Sequence, residues 1–138
     1  VPVVTRHSTL EEVVRAMVHA HRCGVAYVVD KDCKPVGYIS LDILKDAVFR
    51  WYLDGRVSDA LVVTEHIVEL FASDKAEDLL EADLVVCGED ESLHSVLSRM
   101  IENDVKDVAV IDARGVLVGN LDILDLLELW LREKAVVP

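Results

Sequence analysis

The chain has 138 residues, 52% of them apolar, and its 26 acidic and 14 basic side chains leave a net charge of −12 with histidine neutral. That length suits one compact domain or two small lobes. The apolar content excludes disorder as the main state, since a disordered chain lacks the apolar surface to offset its ordering entropy. The averaged negative field would repel the phosphates of DNA, RNA or an anionic bilayer, so neither nucleic acid nor a membrane surface is an expected partner.

In chain order, Val3-Val4 reads as a short strand. Ser8-Thr9 then signal a helix start, followed by Leu10, Val13, Val14, Met17 and Val18 at helical spacing, with Glu11-Glu12 well placed in the first turn. GVAYVVD is a strand ending at Asp30, whose carboxylate can bond the backbone ahead. A tight turn over 31–36 leads to the strand GYIS, with Pro35 limiting pairing at its start. A helix runs from Leu41 to Leu53 and stops at Asp54-Gly55. Ser58 reads as the cap of a further helix, with Leu61, Val62, Ile67, Val68, Leu70 and Phe71 on its apolar face, and Ser73 as the cap of a short one over KAEDLLEAD. Two readings of this 54–75 insertion stay open. It is either a helix covering the sheet, or a lid or partner-docking helix with Trp51, Tyr52 and Phe71 as an aromatic patch. Leu84–Val86 forms the next strand, and Glu91-Ser92 open a helix carrying Leu93, Val96, Leu97, Met100 and Ile101. IENDVKDVAVID holds a strand closed by Asp112, Gly115 suits a positive-φ turn position, and GNLD leads into the last helix.

The second half repeats the first. Ala26–Leu44 aligns with Val108–Leu126 at a constant offset of 82, pairing Val28 with Val110, Asp30 with Asp112, Val36 with Val118 and Gly37 with Gly119. The unit is strand, helix, strand, tight turn, strand, helix, occurring twice. This predicts an α/β (α+β) chain of two small sheets, each covered by helices and related by a pseudo-two-fold. Its parts are a first motif at 1–53, a helical insertion at 54–75 and a second motif at 76–138. Val28, Val29, Val110 and Ile111 are expected on buried central strands. The 25 Val, 18 Leu and 6 Ile, against 7 aromatic residues, fit an aliphatic core between helices and sheet.

Chemistry is easier to exclude than to assign. No GxSxG, HExxH, Walker or GxGxxG motif occurs, and the five histidines form no ligand set: His19 and His21 face different sides, while His7, His66 and His94 stand alone. Enzymatic activity is not expected, nor is a metal site. Cys23, Cys33 and Cys87 are far apart with no CxxC pair, so free thiols in a reducing cytoplasm are expected. No apolar run approaches the roughly 20 residues of a membrane-spanning helix, so no membrane insertion is expected. The start lacks a signal-peptide pattern, and it begins at Val1 rather than Met, as a piece of a longer chain would.

The tandem unit resembles the CBS domain pair, or Bateman module. The resemblance rests on the helix starts Thr9-Leu10 and Ser92-Leu93, the hydrophobic strands closed by Asp30 and Asp112, and the six-residue turns to GYIS and GNLD. It covers about residues 3–53 and 76–134. It implies a regulatory module that binds an adenosine-type ligand such as AMP in a cleft between the paired motifs, and that assembles as a homodimer through the helices starting near Thr9 and Ser92. In the family the third strand commonly ends in Thr or Ser, which contacts phosphate, followed three residues later by an Asp that accepts the ribose hydroxyls. Here Ser40 fills the hydroxyl place of the first copy, but Asp42 is one place early. In the second copy Asp125 fills the ribose place, while Asp122 stands where the hydroxyl belongs. An ionised Asp122 would repel a phosphate by about 1 kcal/mol or more at contact range. The resemblance also implies Thr5, Ala26, Tyr27, Cys87 and Asp107 as ligand-lining positions. The alternative for Asp122 and Asp125 is purely local, a helix cap and a first-turn acid. The alternative function is a ligand-free module for dimerisation or partner docking. The acidic groups Asp74/Asp78, Glu77/Glu81 and Glu89/Asp90/Glu91 permit a variant that responds to divalent cations.

Overall fold

The computed structural model describes residues 1–20, 24–53 and 75–136. The helix expected after Ser58, the Ser73 cap, Cys23, and the aromatic patch of Trp51, Tyr52 and Phe71 lie outside the described residues and side chains. The chain divides into two compact units, Val1–Asp83 and Leu84–Pro138.

In the first unit, β1 (Val3–Thr5), α1 (Leu10–His19), β2 (Val25–Val29), β3 (Pro35–Ser40), α2 (Leu41–Leu53) and the short α3 (Ala76–Leu79) follow in order. In the second, β4 (Val86–Gly88), α4 (Leu93–Asn103), β5 (Asp107–Ile111), β6 (Leu117–Asp122) and α5 (Ile123–Val136) repeat the pattern. Each unit holds a three-stranded sheet with its central strand parallel to the first and antiparallel to the third. The fold is α+β, two small sheets with helices.

The repeat extends to fine detail. Val28 pairs with Gly37 and Val110 with Gly119, and both ladders shift register at the next residue. Thr9 Oγ1 accepts the Glu12 N–H and Ser92 Oγ the Ser95 N–H, each capping its helix. Asp30 Oδ1 accepts from the backbone of Asp32 and Lys34, and Asp112 Oδ1 from that of Arg114 and Val116. These donors hold both carboxyls below the usual range.

Two expectations change, and the second motif as read from sequence begins inside the first compact unit. The strand read at Leu84–Val86 lies at Val86–Gly88, because the β5 register sets Val86 opposite Ala109; Val85 contributes only its carbonyl to the Ala109 N–H. Val28 and Val29 are buried, but Val110 and Ile111 are only partly so, since the second core is smaller. The segment counted with the second motif from residue 76 packs into the first unit, where Ala76 is fully buried among Leu10, Val13 and Val28.

Candidate functional site

Of the positions singled out by the repeat, three come together in the second unit. Asp107 opens β5 and lies opposite Asp122, the last residue of β6. Period-two alternation places Asn120 on the same face as Asp122. Asn120 Nδ2 donates to Asp107 Oδ1 at 3.3 Å. The Ile123 N–H donates to the Lys106 carbonyl at 2.8 Å, which ties the start of α5 to the start of β5.

At that corner the two remaining acids cap the helix. Asp122 Oδ1 accepts the Leu124 N–H at 2.6 Å, and Asp125 Oδ2 accepts the Asp122 N–H at 3.2 Å. This reciprocal box satisfies two backbone donors and sets negative charge at the positive end of the helix dipole. Asp125 is exposed and Asp122 partly buried. Burial is the main reason the Asp107 carboxyl is pushed up to about 6. The negative charges of Asp122 and Asp125 add to the rise, and the Asn120 bond and Lys106 oppose it.

The first unit builds the same corner with different chemistry. Val25 stands opposite Ser40, and the Leu41 N–H donates to the Gly24 carbonyl. Ser40 Oγ caps α2 by accepting the Ile43 N–H at 3.2 Å. Asp42 is not part of this corner. It is exposed, with Lys45 Nζ 3.7 Å from its carboxylate. Thr5 ends β1, where its backbone N–H donates to Ser8 Oγ at 3.1 Å. Ala26, Tyr27 and Cys87 are buried, at 0%, 1% and 4% exposure. Ala26 and Cys87 belong to the two cores, and burial raises the Cys87 thiol. Asn120 was not singled out from sequence. The signal was present, since the strand's alternation puts it beside Asp122.

Among the described residues no group of three or more His, Cys, Asp or Glu side chains could hold a metal ion. No helix among them is long and apolar enough to cross a membrane.

Among curated proteins, no relative matches this sequence. Solved structures do. The CBS domain of a CBS domain-containing membrane protein from Sphaerobacter thermophilus is 25% identical, with a TM-score of 0.75 over 93% of this chain and 80% of that one. CBSX2 in complex with AMP is 19% identical, with a TM-score of 0.71 over 96% of this chain and 88% of that one. The cytosolic domain of the Mg2+ channel MgtE in complex with ATP is 22% identical, with a TM-score of 0.64 over 93% of this chain but 44% of that one. The family model described as CBS domain matches residues 1–50 and 76–132, on both copies of the repeat. The chain belongs to the CBS domain family.

Proposed function

We propose that this chain is a regulatory module whose second unit senses a ribose-bearing adenosine compound of low negative charge. The observation that carries this reading is Asp125. Its carboxylate is exposed at the start of α5, and the cap engages it through Oδ2 with one backbone donor at 3.2 Å. A carboxylate can accept several donors at once, and a ribose diol supplies two. Two proteins of the same fold, CBSX2 and the MgtE cytosolic domain, are solved in complex with AMP and with ATP, which supports an adenosine ligand.

The surroundings argue for adenosine or AMP over ATP. Asp107 and Asp122 flank the position, and the net charge of −12 opposes a triphosphate. The test is thermal denaturation with adenosine, AMP and ATP in turn. A ligand at a hundred times its dissociation constant adds about 2.7 kcal/mol, a clear upward shift in Tm. Shifts with adenosine or AMP and little with ATP support the reading; ATP alone raising Tm, without added metal, contradicts it.

A second reading, homodimerisation, draws on exposed apolar side chains. Val18 on α1 and Ile101 on α4 are 62% and 79% exposed, at the far end of the helices that carried the expectation. The larger stripe lies on α5, where Leu124, Leu127 and Leu131 recur at helical spacing and are about half exposed or more. Light scattering at about 100 µM tests it: a dimeric mass supports it and a monomeric mass excludes it.

A further inference from the structure

The corner at the end of β6 differs from its counterpart in charge. Asp107 and Asp122 stand directly opposite each other on β5 and β6, and Asp125 follows in the first turn of α5. The equivalent ladder positions of the first unit are Val25 and Ser40, neither of them acidic. Opposed residues of an antiparallel pair hold their Cβ atoms about 4.5–5.5 Å apart, and like charges placed there repel. The three carboxyls do not bear that repulsion equally, because their hydrogen bonds differ. Asp122 and Asp125 each accept a backbone N–H, at 2.6 and 3.2 Å. Asp107 accepts from no backbone N–H among the described residues; its partner is the Asn120 amide at 3.3 Å. An anion out of water needs donors, so Asp107 is the least supported of the three, and a proton settles on it first.

The other charged groups nearby do not undo this. Among the described residues Lys106, beside Asp107 in the chain, is the one cation acting on it, against Asp122 from β6 and Asp125 from α5. On the other side of β5, β4 brings only the Cys87 thiol, which lies opposite Val110. The charged and titratable side chains of α4, His94, Arg99 and Glu102, are not among the groups that act on it. Burial first, and the two facing acids after it, push the Asp107 carboxyl up to about 6.

We propose that Asp107, facing Asp122 across the β5–β6 ladder, is a proton switch on the ligand corner of the second unit: protonated, it admits an anionic adenosine compound, and ionised, it selects against the anion while leaving neutral adenosine unaffected. The coupling rests on the reading of Asp125 as the ribose acceptor. Asp125 and Asp107 act on each other through charge, so a ligand held at Asp125 brings its own anionic group into the same field. A proton on Asp107 takes one negative charge out of that field, which favours an anion and does nothing for an uncharged nucleoside. Val25 and Ser40 carry no group that titrates in this range, which confines the switch to the second unit.

The test is calorimetric titration of the full chain with adenosine and with adenosine 5′-sulfate, at pH 5 and at pH 7.5; the sulfate ester keeps one negative charge at both. The sulfate should bind at least about threefold more tightly at pH 5 than at pH 7.5, and adenosine about equally at the two. Asp107→Asn should hold the sulfate near its pH 5 affinity throughout. Carbon-detected NMR of the Asp107 carboxyl gives a readout that needs no ligand. Its midpoint should lie near 6 in the parent and move down in Asp122→Asn, where asparagine still caps α5. A sulfate affinity that ignores pH, or that follows pH equally in Asp107→Asn, overturns the switch and leaves the ligand reading standing. A parent midpoint near the ordinary 3.8 overturns it as well. Binding of neither compound at either pH overturns the ligand reading, and the switch falls with it.

Discussion

Cys33 and Gly115 occupy one position in two copies of the same turn, with φ of 61° and 86°. The left-handed region costs a residue with a Cβ about 1 kcal/mol, and glycine adopts it without that penalty. Gly115→Ala should therefore destabilise by about 1 kcal/mol, while Cys33→Gly should be neutral to stabilising by a few tenths of a kcal/mol, because glycine also loosens the unfolded chain. Chemical denaturation of both variants checks the pair; equal and opposite shifts to these would remove strain from the account. Asp107 makes a pH-dependent prediction. Its carboxyl titrates near 6 in the folded state, above the ordinary value of 3.8. Between those values the folded chain binds the extra proton, so stability from this group falls as pH rises through that window and stays lowered above it. Asp107→Asn keeps an acceptor for Asn120 and removes the charge facing Asp122. It should stabilise by about 1–2 kcal/mol at pH 7.5, discounted for partial exposure, and by little at pH 4. A variant gaining as much at pH 4 as at pH 7.5 would contradict this assignment. The residue types of this corner were legible in the sequence. The facing of Asp107 and Asp122 was not, since it depends on the β5–β6 register.

At the scale of elements, the repeat announced both sheets, both capped helices and both Asp-anchored turns. An offset of 82 reproduces even the ladder irregularity after Val28 and Val110. The copies stop being equivalent in space before β4. Residues 76–83 open the second copy by sequence motif, yet Ala76, Leu79 and Leu80 pack on the first core. Nothing local distinguishes the two choices, because the energy lies in contacts distant in sequence. The β4 strand shifted by two residues for a related reason. Leu84-Val85-Val86 is the more apolar run, but backbone pairing with Val110 and Ile111 decides where the strand lies. Gly37 and Gly119 carry the element-scale prediction. Gly37→Ala drives a Cβ into the Glu81 backbone and should cost about 1–3 kcal/mol. Gly119→Ala meets no neighbour among the described residues and should lie within about 0.5 kcal/mol of the parent. Equal costs at the two sites would show that Leu80 and Glu81 do not press on Gly37 in the first unit.

For the whole molecule, two CBS motifs lie in one acidic chain, and the proposed sensing role has to contend with the carboxylates beside its site. In the proposed reading, Ser40 takes the hydroxyl place of the first copy with no acid at the ribose place, and Asp125 takes the ribose place of the second with Asp122 at the hydroxyl place. Both Ser40 and Asp122 cap helices, so each has a structural duty independent of any ligand. Asp125 shares that duty but is the more exposed acid of its box, which is why the account rests on it. The most direct measurement is calorimetric titration of adenosine and AMP into the parent chain, Asp125→Asn and Ser40→Ala. Asparagine retains an oxygen to accept the Asp122 N–H but replaces the charged acceptor for the ribose hydroxyls. The account predicts that the parent binds, that Asp125→Asn loses about tenfold or more in affinity, and that Ser40→Ala loses less. An Asp125→Asn chain binding as tightly as the parent, or a parent chain binding neither compound, would contradict it.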